Sequence, residues 1–307
     1  MIHDTIIIGG GVAGYSAAMY GGRLGMKCLV IVKESGGTIA LTDIVENYPG
    51  FKRIGGLELA QKIEEHAKEY NPDIVNAEAT GVKRKENMFE VTAGKEKHTG
   101  KTIIFATGTR VRKLDVPGEA EYSGKGVSYC ALCDGALFRG KVLGVVGGSD
   151  SAAKDALVLA EYASKVYIIY RKEKVRAEPV TYRRVEENSK IEIINNTNVL
   201  KIEGNNIITH VVLDRDYNGS KDLALGGLFI DVGHVPLSDL AKKIGVATNK
   251  KEEIIINRNS ETNVQGAFAC GDVADTKFKQ AITGVAEAVL AVYSAYEYVG
   301  TKEGTSS

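Results

Sequence analysis

The chain has 307 residues, 44 % of them hydrophobic, which is enough for two ordinary domains with their own cores and excludes a disordered protein. Its 39 Lys and Arg are balanced by 39 Asp and Glu, so no global field draws it to nucleic acid or anionic lipid. No signal peptide, membrane-length apolar run or cysteine-rich framework is visible, and we expect a soluble, cytoplasmic protein.

The first predicted elements are a strand, a glycine turn, an Ala-rich helix and a second apolar strand, CLVIV. Gly9-x-Gly11-x-x-Gly14 ends the strand and opens the helix, an arrangement that lets backbone approach a pyrophosphate at a helix N-terminus. Glu34 follows about 20 residues later, where an acid that binds a ribose is expected. Two alternatives stay open: a tight turn without a ligand, and a Glu34 that is only a solvated loop charge.

A helical segment, GLELAQKIEEHAKEY, and alternating strands follow, and then the Pro- and Gly-containing connector RKLDVPGEAEYSGKG, which we interpret as a domain crossing. The strand–turn–helix–strand pattern returns from VLGVV to VYIIY, so the chain carries two mononucleotide-type folds. In the C-terminal part, short strands lead through AFACGDV to a helix predicted from about Lys279 to Tyr298, and residues 301–307 are expected to fray.

The second glycine motif is weaker than the first. Gly147-x-Ser149-x-x-Ala152 has serine where a middle glycine would let backbone touch a pyrophosphate. The basic cluster Arg171, Lys172 and Arg176 follows the next strand, and positive charge there suits a 2′-phosphate, which favours NADPH over NADH. The alternative is an ordinary solvated basic strand end.

The CxxC pair Cys130 and Cys133 allows three interpretations: a redox disulfide, half of a metal site, or two buried inert thiols. Zinc needs about four ligands, yet no second CxxC or paired histidines accompany this one, so no metal site is expected. A redox couple is favoured in a chain with two nucleotide-type folds, and Asp134 directly behind it is a candidate acid and base. Cys28 and Cys270 are interpreted as packing residues.

Assembled, these motifs resemble the low-molecular-weight thioredoxin reductases over almost the whole chain. Further landmarks of the resemblance are VENYPGF (45–51), ATG (106–108), VPGEAEYSGKGVSYCALCDG (116–135), GHVP (233–236) and CGDV. The resemblance implies an α/β fold of two Rossmann-like three-layer domains, the second inserted into the first. It implies a discontinuous FAD domain, 1–113 with 237–307, an NAD(P)H domain, 114–236, that carries the CxxC, and hinges at the two crossings.

The resemblance also implies roles for individual residues. Cys133 would lie nearest the flavin, Cys130 would attack the disulfide of thioredoxin or a glutaredoxin-like protein, Asp134 would be the acid and base, and the enzyme would be a homodimer. The implied FAD residues are Gly9, Gly11, Ala13, Gly14, Glu34, Gly37, Thr38, Asn47, Thr107, Gly108, Asp272, Lys279, Gln280 and Ala281. The implied NADPH residues are Gly147, Gly148, Ser149, Asp150, Ser151, Arg171, Lys172 and Arg176.

Several positions depart from the family pattern, among them Thr38, Ser149, Tyr170 and the pair Lys154-Asp155. Because most of them lie around the second glycine motif, the electron donor stays open between NADPH, NADH, reduced deazaflavin and ferredoxin. An alternative of another class is a flavin-binding redox carrier or sensor without a dedicated disulfide substrate.

Overall fold

A computed structural model describes the backbone of residues 1–304. The chain divides into two compact units: unit 1 comprises Met1–Arg110 and the chain from Val235 onward, and unit 2 comprises Val111–His234. The second unit is therefore an insertion in the first. We expected residues 301–307 to fray. Residues 301–304 instead continue the last helix, and residues 305–307 lie outside the described part of the chain.

Unit 1 is built around a sheet of order β5-β2-β1-β8-β7-β6, with β19 also paired to β8. The pairs β1–β2, β1–β8, β2–β5 and β8–β19 are parallel, whereas β6, β7 and the start of β8 form an antiparallel meander. The strands are β1 Ile2–Gly11, β2 Cys28–Gly36, β3 Ile44–Val45, β4 Ile54–Gly55, β5 Asp73–Asn76, β6 Ala79–Lys85, β7 Met88–Ala93, β8 Glu96–Phe105 and β19 Ala267–Ala269; the helices are α1 Val12–Arg23, α2 Gly56–Lys68, α7 Asp239–Lys242 and α8 Ala281–Gly304.

Unit 1 has two hydrophobic cores, one on each face of its sheet, because successive side chains along a strand point to opposite faces. Ile7 of β1 packs with residues of α1 and α8 on one face. Ile6 and Ile8 pack on the other face, against the meander and the segment around α7. The sheet therefore lies between a helical layer and a second layer, as expected for a three-layer domain.

Unit 2 contains a parallel sheet of order β10-β17-β11-β12-β13 and an antiparallel sheet β14-β15-β16. Phe229 of β17 packs with α5 on one face, while its neighbours Leu228 and Ile230 pack against the antiparallel sheet on the other. The strands are β10 Val127–Ser128, β11 Val142–Val146, β12 Lys165–Ile169, β13 Ile191–Ile194, β14 Val199–Gly204, β15 Ile208–Tyr217, β16 Ser220–Ala224 and β17 Gly227–Ile230; the helices are α3 Glu119–Tyr122, α4 Ala131–Asp134, α5 Asp150–Tyr162 and α6 Pro179–Glu187.

The chain passes between the units in β9, Thr109–Val111, and again in β18, His234–Pro236, and these two short strands pair with each other. Both predicted strand–turn–helix–strand units are confirmed, as β1-α1-β2 and β11-α5-β12, and so is the predicted α/β class. β2 is longer than the apolar run CLVIV and continues through Glu34 to Gly36. No helix in residues 1–304 is long and apolar enough to cross a membrane.

Candidate active site

The CxxC segment opens α4 in unit 2. Cys130 and Cys133 are joined by a disulfide, and the Cys133 N–H also donates to Cys130 Sγ at 3.1 Å. Cys133 is exposed and Cys130 is half-buried. In contrast, burial raises the pKa of the Cys28 thiol to about 12 and raises that of Cys270 further, so these two thiols are inert packing residues. The described residues contain no cluster of His, Cys, Asp and Glu suited to a metal ion.

Asp134 ends α4 and is held by a buried hydroxyl that the sequence reasoning did not identify. Ser128 Oγ donates to Asp134 Oδ2 at 2.6 Å and accepts the Cys130 N–H at 3.1 Å. The Asp134 N–H in turn donates to the Cys130 carbonyl oxygen at 3.2 Å. Ser128 is 6 % exposed and ends β10, so a polar residue at the end of a short buried strand was the available signal.

A second buried group, Glu119, links the crossing segment to the residue before Cys130. Its carboxylate accepts the N–H groups of Leu114 at 3.0 Å and Asp115 at 2.6 Å, and the hydroxyl of Tyr129 at 2.8 Å. Burial and the neighbouring Glu119 carboxylate raise the pKa of Tyr129 well above its usual range. Glu119 is 3 % exposed, and only its place after Pro117-Gly118 hinted at a structural role.

In unit 1 two glycines of the first motif, Gly9 and Gly14, leave no room for a side chain. Gly9 has φ +128°, and a Cβ there would lie 2.1 Å from the Ala106 carbonyl oxygen. A Cβ on Gly14 would lie 1.9 Å from the Gly9 carbonyl oxygen, so the helix starts directly against the turn. Gly11 is the N-cap of α1 and no side chain caps this helix, which leaves its N-terminus suited to an anion.

The glycines around that turn form a cradle that fits an extended cofactor. Gly37, with φ +64°, approaches Gly11 so closely that a Cβ on it would lie 3.1 Å from the Gly11 Cα. Gly108 also has a positive φ, +64°, and open space where a Cβ would stand. The carboxyl ends of β1, β2 and β8 therefore present bare backbone on one edge of the sheet, where dinucleotides bind in such folds. Ala13 is buried in the first turn of α1, and Glu34 and Thr38 are exposed at the end of β2 and just after it.

Other predicted FAD residues come together from distant parts of unit 1. Asn47 Nδ2 donates to Gln280 Oε1 at 2.9 Å across 233 positions of sequence, directly before α8 begins at Ala281. Thr107 Oγ1 donates to the Leu237 carbonyl oxygen at 2.7 Å, which ties the ATG segment to the returning chain.

The Lys279 side chain contacts the backbone of Asp272, not its carboxylate. The Lys279 ammonium donates to the carbonyl oxygen of Asp272 at 2.7 Å and forms an ion pair with Glu253 at 3.1 Å. It thereby supports the Gly271–Val273 turn. Glu287, which the sequence reasoning missed, holds the same turn by accepting the Gly271 N–H at 2.9 Å, and burial raises its pKa. The available sequence signal for Glu287 was an acidic residue within the Ala- and Val-rich stretch that forms α8.

The second glycine turn, in unit 2, is packed more closely than the first. A Cβ on Gly147 would lie 2.2 Å from the Asp231 carbonyl oxygen, and one on Gly148 would lie 2.2 Å from the ring of Tyr170. Ser149 is the N-cap of α5: its Oγ accepts the Ala152 N–H at 3.2 Å and donates to Asp231 at 3.4 Å. The serine therefore caps the helix N-terminus at the position where the motif usually has a glycine.

The basic cluster lies beside this turn. The Arg176 N–H donates to the Gly148 carbonyl oxygen at 2.8 Å, and Arg171, Lys172 and Arg176 are all exposed. Exposed cations at the carboxyl end of β12 fit a phosphate group on a nucleotide. Ser151 is exposed in the first turn of α5.

Two aspartates on α5 have opposite environments. Burial would raise the pKa of Asp150, but hydrogen bonds from Lys154 and from the Glu178 N–H hold it below its usual range. Burial, together with the negative charge of Asp231, raises the pKa of Asp155 to about 8. Asp150 is thus a structural ion-pair residue as well as a predicted nucleotide contact.

Comparisons with known proteins agree with this arrangement. The family described as pyridine nucleotide-disulphide oxidoreductase matches residues 3–288. A thioredoxin reductase of Bacillus subtilis is 39 % identical over 301 residues, covering 97 % of this chain and 95 % of the relative. Crystal structures of thioredoxin reductases from Lactococcus lactis and T. acidophilum match with TM-scores of 0.94 and 0.91, at 36 % and 35 % identity. They cover 97 % and 96 % of this chain, and 99 % and 98 % of their own chains.

The site and fold define a two-domain oxidoreductase with a disulfide beside a carboxylic acid. The chain belongs to the pyridine nucleotide-disulphide oxidoreductase family. The resemblance to low-molecular-weight thioredoxin reductases is thereby confirmed, and membership implies the use of a flavin and a pyridine nucleotide.

Proposed function

We propose that this protein is a thioredoxin-disulfide reductase that passes electrons from NADPH through FAD to the Cys130–Cys133 disulfide, and from there to thioredoxin or a glutaredoxin-like protein. The observation that carries the proposal is the Cys130–Cys133 disulfide itself, with Asp134 behind it, in a chain whose relatives carry that name. The two alternatives for the CxxC pair, buried inert thiols and half of a metal site, do not account for a disulfide with Asp134 directly behind it.

Unit 1 would hold FAD. The bare backbone of Gly9, Gly11, Gly14 and Gly37 would take the pyrophosphate at the start of α1, and Glu34 the ribose. Bound FAD supplies a two-electron relay between a nicotinamide and a disulfide. The remaining contacts proposed for the flavin half are Ala13, Thr38, Asn47, Thr107, Gly108, Asp272, Gln280 and Ala281, with Lys279 acting through the Asp272 turn.

Unit 2 would hold NADPH, which supplies a hydride. The turn Gly147-Gly148-Ser149 with Asp150 and Ser151 would receive the pyrophosphate, and Arg171, Lys172 and Arg176 the 2′-phosphate. Support comes from the exposure of all three cations and from the backbone bond that fixes Arg176 beside the turn.

Thiol exchange then proceeds on residues of the α4 segment. In the reduced enzyme the Cys130 thiolate attacks one partner sulfur, the partner's S–S bond breaks, and the departing thiolate takes a proton from Asp134. The Cys133 thiol next gives its proton to Asp134 and attacks Cys130 Sγ, which restores the disulfide, and Asp134 passes that proton to the second partner thiolate as it leaves. Two electrons pass from the dithiol to the partner.

The order of the two cysteines is testable by trapping. Cys133→Ser should accumulate a mixed disulfide between Cys130 and a thioredoxin that lacks its own second cysteine, whereas Cys130→Ser should not. Non-reducing electrophoresis with mass spectrometry identifies the linked residue. Trapping by the Cys130→Ser variant alone would reverse the roles of the two thiols.

The electron donor is tested by anaerobic stopped-flow absorbance of the flavin after mixing with NADPH or with NADH. We expect fast bleaching with NADPH, and Arg176→Gln should raise the NADPH concentration for half-maximal rate about tenfold without affecting NADH. Arg183→Gln, an exposed change on α6, is the matched control. Bleaching by dithionite but by neither nucleotide would reject the nicotinamide donor.

A second candidate keeps the disulfide chemistry and changes the donor to NADH, reduced deazaflavin or ferredoxin. It is favoured by one observation, the Tyr170 ring packed on Gly148 where a pyrophosphate would approach. Cytoplasmic location, which was expected from the sequence, and homodimer formation, which the resemblance implies, belong to the proposal, and sedimentation of the purified protein tests the second.

A further inference from the structure

The hydroxyl of Ser128 has more partners than a purely structural serine requires. It accepts the Cys130 N–H at 3.1 Å and lies 2.6 Å from Asp134 Oδ2 and 3.4 Å from the Cys130 carbonyl oxygen. A hydroxyl has one proton and two lone pairs, so it can donate to only one of the two oxygens at a time. Ser128 is almost fully buried, so water does not readily replace these contacts.

The two acceptors match the two protonation states of the acid. When Asp134 is ionised, Ser128 Oγ donates to its Oδ2. When Asp134 carries a proton, that proton can be donated to Ser128 Oγ, and the hydroxyl proton then turns to the Cys130 carbonyl oxygen. The hydroxyl can therefore keep a hydrogen bond to Asp134 before and after proton transfer, without movement of the backbone.

We infer that Ser128 is the positioning residue of the catalytic acid: its rotating hydroxyl holds Asp134 in place in both protonation states and fixes it to the backbone of Cys130. The inference rests on the proposed function, because Asp134 matters only if thiols exchange at this disulfide. In each exchange a Cys130–S–R bond forms, the R–S–S–R bond breaks, and the proton of Asp134 goes to the departing thiolate. Asp134 is reprotonated when the second thiol of the enzyme gives up its proton.

The test uses full-length enzyme with its flavin, reduced with dithiothreitol and desalted, and mixed with two small disulfides. Hydroxyethyl disulfide releases a basic thiolate that needs a proton, whereas 5,5′-dithiobis(2-nitrobenzoate) releases an acidic thiolate that does not. We expect Ser128→Ala to slow the first reaction about tenfold and the second less than twofold. Ser128→Thr, which keeps the hydroxyl, should recover most of the loss.

A double-mutant cycle with Asp134→Asn separates positioning from packing. If Ser128 acts through Asp134, Ser128→Ala adds no further loss to the Asp134→Asn enzyme with hydroxyethyl disulfide. Equal slowing with both disulfides, or an undiminished effect in the Asp134→Asn background, would overturn the inference. The absorbance of bound flavin and the circular dichroism of each variant report whether Ser128→Ala has folded, because thiols of an unfolded chain also react with the aromatic disulfide.

Failure of the proposed function looks different. In that case wild-type enzyme reacts with the small disulfides, and responds to Ser128→Ala as described, but does not reduce thioredoxin or a glutaredoxin-like protein. The positioning role would then stand while the protein substrate would change.

Discussion

Asp155 on α5 provides a test of the electrostatics of unit 2. Burial and the nearby Asp231 carboxylate raise its pKa from the ordinary 3.8 to about 8. The folded protein therefore holds a proton that the unfolded chain releases, and stability falls as pH rises from about 4 to about 8. Asp155→Asn keeps the shape and removes the titration, so the variant should be more stable than wild type at neutral and alkaline pH.

The size of the effect follows from the two pKa values. An interval from 3.8 to about 8 corresponds to at most about 6 kcal/mol, at about 1.36 kcal/mol per pH unit. Structural relaxation and water penetration reduce such penalties in real proteins, so we expect about 2–4 kcal/mol above pH 8. For a chain of 307 residues that is a rise in melting temperature of about 3–6 °C.

The measurement is thermal unfolding of the flavin-loaded enzyme, without nucleotide, from pH 4.5 to pH 9. The difference between Asp155→Asn and wild type should be small at pH 4.5, grow through neutrality and level off above about pH 8. Asp150→Asn is the matched control on the same helix, because Lys154 and the Glu178 N–H hold the pKa of Asp150 below its usual value. Loss of that charge should destabilise the protein at pH 7 and have less effect as pH falls towards that lowered pKa.

Two results would refute this reasoning. A difference between Asp155→Asn and wild type that is constant across pH would mean that Asp155 does not titrate as a buried acid. A variant less stable than wild type at pH 9 would mean that the ionised carboxylate has a favourable partner that the electrostatic argument omits.

Three further changes test other parts of the molecule. Gly14→Ala should lower the flavin content of the purified protein at least about tenfold, because its Cβ would lie 1.9 Å from a carbonyl oxygen, while Gly300→Ala, with open space around it, should leave the flavin absorbance unchanged. Glu119→Gln should lower the free energy of unfolding in urea by about 2 kcal/mol, since the buried donors around the carboxylate lose a charged acceptor; a change below about 0.5 kcal/mol would contradict it. Asn47→Ala should weaken flavin binding about tenfold in equilibrium dialysis if its bond to Gln280 orders the pocket, and unchanged affinity would exclude that role.

The sequence was informative for features that are formed by residues close together along the chain. A glycine motif between an apolar strand and an Ala-rich helix predicts the turn at Gly9 and Gly14, because only glycine fits where backbone meets backbone. The redox disulfide was favoured from a local CxxC pattern in a chain with two nucleotide-type folds and without further metal ligands, and the structure joins the two cysteines. Both signals lie within a short stretch of chain, so the sequence pattern was enough to favour the correct interpretation.

Contacts between distant parts of the chain could not be predicted from pattern. Ser128, Glu119 and Glu287 were not identified, although the first two are buried, the third is partly buried, and each holds a functional segment in place. Their importance depends on which backbone amides and hydroxyls the fold brings to them. Lys279 was predicted to bind FAD, whereas its ammonium donates to backbone carbonyl oxygens and supports the Asp272 turn. The sequence pattern does not reveal such a contact.

Ser149, which stands where the motif usually has glycine, affects both the stability of α5 and the binding of a nucleotide at its N-terminus. As N-cap of α5, its hydroxyl satisfies the Ala152 N–H, which is worth about 1 kcal/mol of helix stability. An N–H that a side chain already holds is not free for a phosphate oxygen, so the cap and a pyrophosphate would compete for the same donor. The exposed cations at Arg171, Lys172 and Arg176 can still attract the phosphates of a nucleotide. Affinity in unit 2 should therefore depend more on these cations than on the glycine turn, in contrast to unit 1, where bare backbone at α1 has no such competitor.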